Sequence, residues 1–479
     1  MKNAHLPIAV IGAGPVGLAA AAHLLARGEE PIVFEQGASV GAGVLSWGQV
    51  RLFSPWRYVV DEAAAGLLAG SGWVSPDPEE HPTGRELVER YLAPLGALPE
   101  LRDRIRLGIR VQSVSRDGLD KMKTEGRADA PFLLTVEQAD GRTELIRAKA
   151  VVDASGTTAT PNPLGASGRM VPGERELTGH IAYGPPDILG RDRGRYAGRR
   201  VLVVGNGHSA FNALLDLGRL ANDVPATRIT WAVRRPAGRL AGLFGGEAGD
   251  GLPERGLLGT RVRAMVEAGR LELVSGFRAN GVVTSPDGVT VSGEGAVLAP
   301  VDEIIVATGF RPDLSLLSEI RIALDPVVES PVALAPLIDP NLHSCGSVPP
   351  HGAEELRHPD PDVYVVGMKS YGRAPTFLML TGYEQVRSVA AAIAGDWVAA
   401  RDVHLVLPET GVCSTNLFDA PGASCCGSTV AEVAAATGAA GCCAPVSAVT
   451  AGSGDVAACC APAAPPVIEL GTLRRPARA

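Results

Sequence analysis

Near its start the chain reads PIAVIGAGPVGLAAAAHLLARGEEPIVFE, residues 7 to 35, and this stretch leaves little freedom of fold. PIAVIG is an apolar run of strand length. Glycines at 12, 14 and 17 then keep a GxGxxG spacing into an Ala/Leu-rich segment, and a second strand-like run, PIVFE, ends on Glu35. Each glycine has its own task in such a turn. Gly12 bends the chain, Gly14 lets backbone approach a pyrophosphate, and Gly17 lets helix and strand pack closely. The helix N-terminus favours the phosphate charge, and Glu35, 18 residues beyond Gly17, is placed to accept hydrogen bonds from a ribose. The pattern predicts a β-turn-α-β unit that binds a dinucleotide; a glycine turn in a nucleotide-free α/β fold is the alternative.

The same device recurs in RRVLVVGNGHSAFNALLDLG, where a strand through Val204 meets Gly205 and Gly207, and Ser209 and Ala210 open a helix with Ala210 at the third glycine position. The next strand, RITWAVRR, ends on Arg234 and Arg235 rather than on an acid. Paired guanidiniums suit a ribose 2′-phosphate, so the second unit reads as an NADPH site. Two arginines on a solvated loop are the competing reading. Three more apolar runs end in glycine turns: AKAVVDASGT, VDEIIVATGFRPD with Gly309, and DVYVVGMKSYG with Gly367, the last followed by the helical stretch TFLMLTGYEQVRSVAAAIAG. A helix start beside such a glycine offers N–H groups to the electron-rich edge of a flavin.

Composition excludes several classes. With 479 residues and a net charge of −8, and without a Lys/Arg-rich block, nucleic acid and anionic membrane are not expected partners. The N-terminus passes directly into the first strand and no apolar run reaches spanning length, so the expected location is cytoplasmic. Cysteine usage agrees, since seven of the eight cysteines fall at Cys413 or later and only Cys345 precedes them.

Together the two glycine turns, VVDASGT and IIVATGFRPD resemble the two-dinucleotide-binding-domain flavoproteins, which include flavin-containing monooxygenases and thioredoxin-reductase-like enzymes. The resemblance spans about residues 5 to 400. It implies FAD in the first unit and NADPH in the second, with an FAD domain that the chain leaves near 160 and re-enters near 305. Disulfide reductases of this group carry a redox cysteine pair near the flavin, and neither unit has a cysteine there; their last FAD strand ends in Gly-Asp, where this chain has Gly367-Met368. Both departures favour the monooxygenase branch, in which reduced flavin activates oxygen and one atom passes to a soft nucleophile. The monooxygenase fingerprint is incomplete: Gly179, His180 and Tyr183 keep its residue types at compressed spacing. The loop SWGQVRLFSPW, residues 46 to 56, stands where those enzymes line the flavin, which makes Gln49 the candidate catalytic amide; simple packing of the loop by Trp47 and Trp56 is the alternative. The segment YVVGMKSYGRAPTFLMLTGYEQVRSVAAAIAGDW together with a tail holding three adjacent cysteine pairs (425-426, 442-443 and 459-460) also resembles flavin-dependent monooxygenases of bacterial arsenic-resistance operons.

Six of the eight cysteines form adjacent pairs, Cys425-Cys426, Cys442-Cys443 and Cys459-Cys460, whose first members are 17 residues apart. Neighbouring cysteines do not readily close a low-strain disulfide on themselves, because bridged α-carbons usually stand further apart than chain neighbours. Thiolates are soft ligands, and a trivalent arsenical takes three sulfurs, so one pair plus Cys413 or a thiol of another pair can hold it. Zinc, which prefers C-x2-C knuckles, a disulfide relay to the flavin, and no function remain as alternatives. His343, Cys345, His351 and His358 match no familiar metal spacing.

The expected architecture is therefore α/β: two Rossmann-like domains, the FAD domain discontinuous (1–165 and 305–400) around an inserted NADPH domain (166–304), plus a flexible Cys-rich tail (401–479). The expected activity is NADPH-driven, FAD-dependent oxygenation of a small-molecule or metalloid substrate such as a trivalent arsenical, with molecular oxygen as co-substrate, by the chain alone or as a homodimer. A disulfide reductase using the tail cysteines, and a metalloid-binding protein on an inactive flavoprotein body, are the alternatives.

Overall fold

Continuous apolar runs fold as strands covered on both faces, and the chain begins with one. Strand β1 (Ile8–Ile11) is wholly buried and leads into helix α1 (Pro15–Ala26), with proline at the first helical turn, where its missing N–H costs nothing. Strand β2 (Pro31–Glu35) then pairs parallel to β1, and after a long helical excursion β3 (Ile105–Leu107) extends the edge. A three-stranded antiparallel meander follows, β4 (Ile109–Arg116), β5 (Phe132–Gln138) and β6 (Thr143–Ala148), before β7 (Ala150–Asp153) returns to the other side of β1. The computed structural model describes residue 3 and residues 5–240, 243–244, 253–342, 348–374 and 377–405.

The chain then builds the device a second time. β8 (Ile181–Tyr183) is an edge strand, β9 (Arg200–Val204) leads into helix α2 (His208–Asp223), and β10 (Arg228–Ala232), helix α3 (Pro253–Glu267) and β11 (Glu272–Val274) complete that side. A second meander, β12 (Ala279–Ser285), β13 (Gly288–Gly293) and β14 (Ala296–Val297), precedes β15 (Glu303–Val306), which inserts between β9 and β8. Finally β16 (Val363–Val365) pairs with β7 and helix α4 (Met379–Ile393) packs beside α1. The strand orders are β16-β7-β1-β2-β3 and β11-β10-β9-β15-β8.

Alternation along the central strands sets the layers. Ile8 and Val10 join the core under α1 and α4, whereas Ala9 and Ile11 face the first meander with Phe132, Leu134 and Val136. In the second sheet Val201 and Val203 face α2 and α3, while Leu202 and Val204 face the second meander. Each sheet thus lies between helices and a small antiparallel sheet. Full burial of each such aliphatic side chain stabilises by about 1.5–3 kcal/mol before chain entropy is counted.

One boundary moves. A break between residues 304 and 305 cuts through β15, whose Ile304 and Ile305 pair with Leu202 and Val203 of β9. This strand closes the second sheet, and the return to the first begins beyond it, at 307–313. A glycine-terminated apolar strand reads alike in either sheet, and only pairing decides. The two connecting strands are tied together: Asn162 N donates to Gly309 O (2.9 Å), Arg311 N to Thr160 O (3.0 Å), and Arg311 Nε to Asn162 Oδ1 (2.8 Å). The residues assigned to the cysteine tail from 406 onward lie outside the described residues.

Candidate functional site

The first glycine turn follows β1. Gly12 has φ +102°, and a Cβ there would stand 2.8 Å from Ala154 O; a Cβ on Gly17 would stand 1.9 Å from Gly12 O. Neither position tolerates a side chain. Gly14, by contrast, has open space where a Cβ would be, directly at the N-cap of α1. This cradle has the form a pyrophosphate requires: backbone can be approached, and the first-turn amides of α1 lack helical acceptors. Glu35 is buried at the end of β2, where Oε2 accepts from Ala13 N (2.9 Å) and Oε1 from Gly37 N (2.7 Å). Those bonds fix the carboxylate beside the turn and leave lone pairs for hydroxyl donors.

The second turn repeats the geometry. Gly205 has φ +130° and would place a Cβ 2.2 Å from Ala307 O, while Gly207, the N-cap of α2, again faces open space. Ala210 is fully buried under the helix start, and Ser209 is half-buried at the first turn. The two arginines after β10 part company. Arg234 is exposed and donates through Nη1 to Ala166 O (3.1 Å), whereas Arg235 is buried and turns its Nη1 to Arg239 O (3.3 Å).

Gln49 joins the two halves. Its Nε2 donates to Pro185 O at 2.8 Å, just beyond β8, and Phe53 of the same loop lies against His208, the first residue of α2, with ring centroids 5.2 Å apart. The loop therefore bridges the first unit to the second turn. Trp56 is buried with Arg90 over its ring (5.3 Å), and Trp47 packs where Gly84 leaves room, so both tryptophans pack the loop. Tyr183 donates to Glu174 Oε1 (2.8 Å), and burial with that carboxylate raises its pKa; His180 is exposed beside Asp302 O (3.1 Å).

Sequence reasoning missed the groups at the end of the first sheet. Lys369, two residues past Gly367, is buried with its Nζ 2.7 Å from Asp153 Oδ2 and 2.9 Å from Ser155 Oγ. Ser155 Oγ donates to Asp153 Oδ1 at 2.6 Å. The trio lies beside the Gly12 turn, because Ala154 and Ser155 are the backbone that a Gly12 side chain would strike. Gly367 has φ +68° and packs on Val16 of α1; its N–H is held by Gln385 Oε1 (2.7 Å), whose Nε2 reaches Ser370 Oγ (3.0 Å) and His351 Nε2 (2.9 Å). Gly309 lies in the paired connection, with φ +95° and its would-be Cβ 3.3 Å from Asn162 Nδ2. The signal for Lys369 and Asp153 was present: a charge that closes or closely follows a buried apolar strand needs a partner.

His351 and His358 are buried, and among the described residues no cluster of three or more His, Cys, Asp or Glu side chains suits a metal. His343, Cys345, Cys413 and the six paired cysteines lie outside the described residues. No described helix is long and apolar enough to cross a membrane.

Two glycine cradles on two parallel sheets define a protein that holds two dinucleotides, and comparison with known proteins says of which kind. The family description "NAD(P)-binding Rossmann-like domain" matches residues 10–74. A ferredoxin–NADP reductase of Salinispora tropica is 30% identical over 325 residues, covering 67% of this chain and 79% of that protein. The chain belongs to the flavin-dependent pyridine-nucleotide oxidoreductases, and it is an enzyme that uses FAD and NAD(P)H. Among solved structures it shares its fold with the bacillithiol disulfide reductase of Bacillus cereus (TM-score 0.56, 20% identity, 81% of this chain and 99% of that one). It also shares it with a flavin-containing monooxygenase of Stenotrophomonas maltophilia (TM-score 0.53, 21% identity, 81% of this chain and 98% of that one).

Proposed function

We propose that the chain is an NADPH-dependent flavin monooxygenase that oxidises a soft, thiophilic substrate, a trivalent arsenical, captured by its C-terminal cysteine pairs. FAD held at the first turn supplies hydride acceptance and oxygen activation. The chain's own residues do the rest. The Gly12–Gly17 cradle and Glu35 hold the FAD, the Lys369–Asp153–Ser155 trio and Gln385 fix the backbone around it, and the second turn presents NADPH. The loop carrying Gln49 and Phe53 aligns the two units. The reaction balances as NADPH, a proton, dioxygen and the trivalent arsenical giving NADP+, water and the pentavalent oxide.

The observation that carries this reading is where the thiols are. Residues 1–344 contain no cysteine, so the two glycine-turn units carry no dithiol of their own to receive electrons, while three adjacent pairs are placed in one segment. Soft sulfur donors select a thiophilic ligand. A second reading has its own support: ferredoxin–NADP reductases are relatives of this chain, and delivery of electrons to an outside acceptor likewise needs no cysteine in the body.

Turnover of the purified holoenzyme with NADPH and phenylarsine oxide, in the presence of catalase, tests the proposal. Equal amounts of NADPH and oxygen consumed and pentavalent product formed, with a raised KM for arsenical when the chain is cut after Val412, support it. Substrate-stimulated NADPH oxidation that persists without oxygen, through ferredoxin or a disulfide and with no pentavalent product, overturns it in favour of the reductase.

A further inference from the structure

Resting on the NADPH reading above, one element of cofactor choice is visible at the far end of the second sheet. Backbone bonds lace the segment after β11 to the end of β10: Val233 N donates to Val274 O (2.9 Å), Phe277 N to Val233 O (3.0 Å), and Gly276 N to Arg235 O (2.8 Å). This brings Arg278 alongside Arg234. A second lacing, Ala166 N to Ala279 O (3.2 Å) and Arg234 Nη1 to Ala166 O (3.1 Å), places the connection from the first unit against both. Beside these segments lies an open cleft of about 650 Å³ lined by residues 166, 167, 169–172, 278–280 and 294; Arg169 and Arg278 line it, and Arg234 reaches its wall through the bond to Ala166 O. That volume is within the range of small-ligand sites.

The charges of this cleft are unbalanced. Among the described residues neither Arg169 nor Arg278 has an ion pair or a side-chain hydrogen bond, and Glu294 is the only acid lining the cleft. Arg234 and Arg278 repel: partial desolvation of the Arg234 side chain, much of whose surface stays exposed, and then the Arg278 charge hold its pKa below the usual guanidinium range. Guanidiniums gathered with a single carboxylate, Glu294, in the cleft lining form a site that a dianion would relieve, and guanidiniums match phosphate oxygens in geometry. Arg234 follows the second strand of a dinucleotide fold, the strand end at which a ribose 2′-phosphate distinguishes NADPH from NADH.

We propose that Arg278 joins Arg234 in gripping the 2′-phosphate of NADPH, with Arg169 bordering the same cleft, and that Arg235 is a structural residue of the loop. The second arm of the grip thus comes from the strand-β11 side, 44 residues beyond Arg234, rather than from the adjacent arginine. Arg235 is buried and engaged with Arg239 O, and serves to shape the turn.

The test is calorimetric titration of FAD-loaded protein with 2′-AMP and with 5′-AMP, which differ in where the phosphate sits. In Arg278→Gln, 2′-AMP affinity falls by about ten- to a hundredfold, the loss of a charge-assisted contact, while 5′-AMP affinity and FAD content are unchanged. Arg234→Gln behaves alike, and Arg235→Lys leaves the 2′-AMP to 5′-AMP ratio as in the parent. Arg278 and Arg234 are both exposed, so their replacement spares the core. Unchanged 2′-AMP binding in Arg278→Gln, or equal loss for both nucleotides, overturns the assignment. A parent protein that binds 2′-AMP no more tightly than 5′-AMP overturns the NADPH preference itself, which is a different result.

Discussion

Replacing Lys369 by methionine breaks a fully buried ion pair of the first unit. The Lys369 and Asp153 side chains are 1% and 0% exposed and meet at 2.7 Å. Without the ammonium, Asp153 keeps only the Ser155 hydroxyl and backbone N–H (2.6 and 3.1 Å) and stands as an uncompensated buried carboxylate. Breaking a buried pair from one side costs about 3–5 kcal/mol, whereas removing both charges often costs far less. Lys369→Met and Asp153→Asn should therefore each destabilise strongly, and the double variant should recover at least about 2 kcal/mol relative to their sum. Urea unfolding of the FAD-loaded proteins, followed by far-UV circular dichroism, supplies the four free energies of the cycle. The singles should also purify with less flavin, because Ala154 and Ser155 line the Gly12 turn. If each single variant loses under about 1 kcal/mol, or the two losses simply add, the pair is not the coupled unit argued for here.

The remaining expectations separate the two turns, the bridging loop and one buried histidine. Gly17→Ala puts a methyl 1.9 Å from Gly12 O and should yield flavin-free protein, while Gly205→Ala, with φ +130° and 2.2 Å to Ala307 O, should keep its flavin absorbance but lose anaerobic bleaching by NADPH. Gln49→Ala deletes the bond to Pro185 O; at about 1 kcal/mol for such a bond, stopped-flow flavin reduction should slow about fivefold with FAD content unchanged. His358 is pushed down to about 4 by burial, so its neutral form is the native one. The unfolded chain binds the extra proton below about 6.5, so this contribution is intact above that pH and is lost as pH falls toward 4, by about 3 kcal/mol in all. His358→Asn, whose side-chain carbonyl can still accept from Ala323 N, should flatten the pH dependence of the urea midpoint across that window by about one proton.

What could be read from the chain were features whose cause is local. Gly17 is glycine because a side chain would strike Gly12 O one turn back, and Gly12 and Gly205 need glycine for a positive φ that the turn itself imposes; a GxGxxG spacing reports both, although the backbone that a side chain at Gly12 or Gly205 would strike, Ala154 and Ala307, lies far along the chain. What could not be read depends on partners distant in sequence. Lys369 and Asp153 are 216 residues apart, and Gln385 holds Gly367 from the helix that follows. The membership of β15 was equally hidden, since its apolar run suits the centre of either parallel sheet. Arg234 and Arg235 look equivalent in sequence, but a loop folded back by Gly276 buries one and leaves the other beside Arg278.

The two cradles share their steric design and differ in exposure, and this difference bears on which nucleotide stays. At the first turn Gly14 is half-buried and Glu35 is 7% exposed, clamped by two backbone donors. At the second, Asn206, Gly207 and Arg234 are all exposed. A ligand enclosed among fixed backbone donors leaves slowly, because release must uncover groups that have no other partner. A ligand gripped by exposed guanidiniums arrives quickly under electrostatic steering and leaves readily at physiological salt. That contrast fits FAD as the resident nucleotide of the first unit and NADPH as the exchanging one of the second. It also gives the bridging loop its purpose. On the proposed reading, the Gln49–Pro185 bond and the Phe53–His208 contact are what join the exchanging site to the resident one.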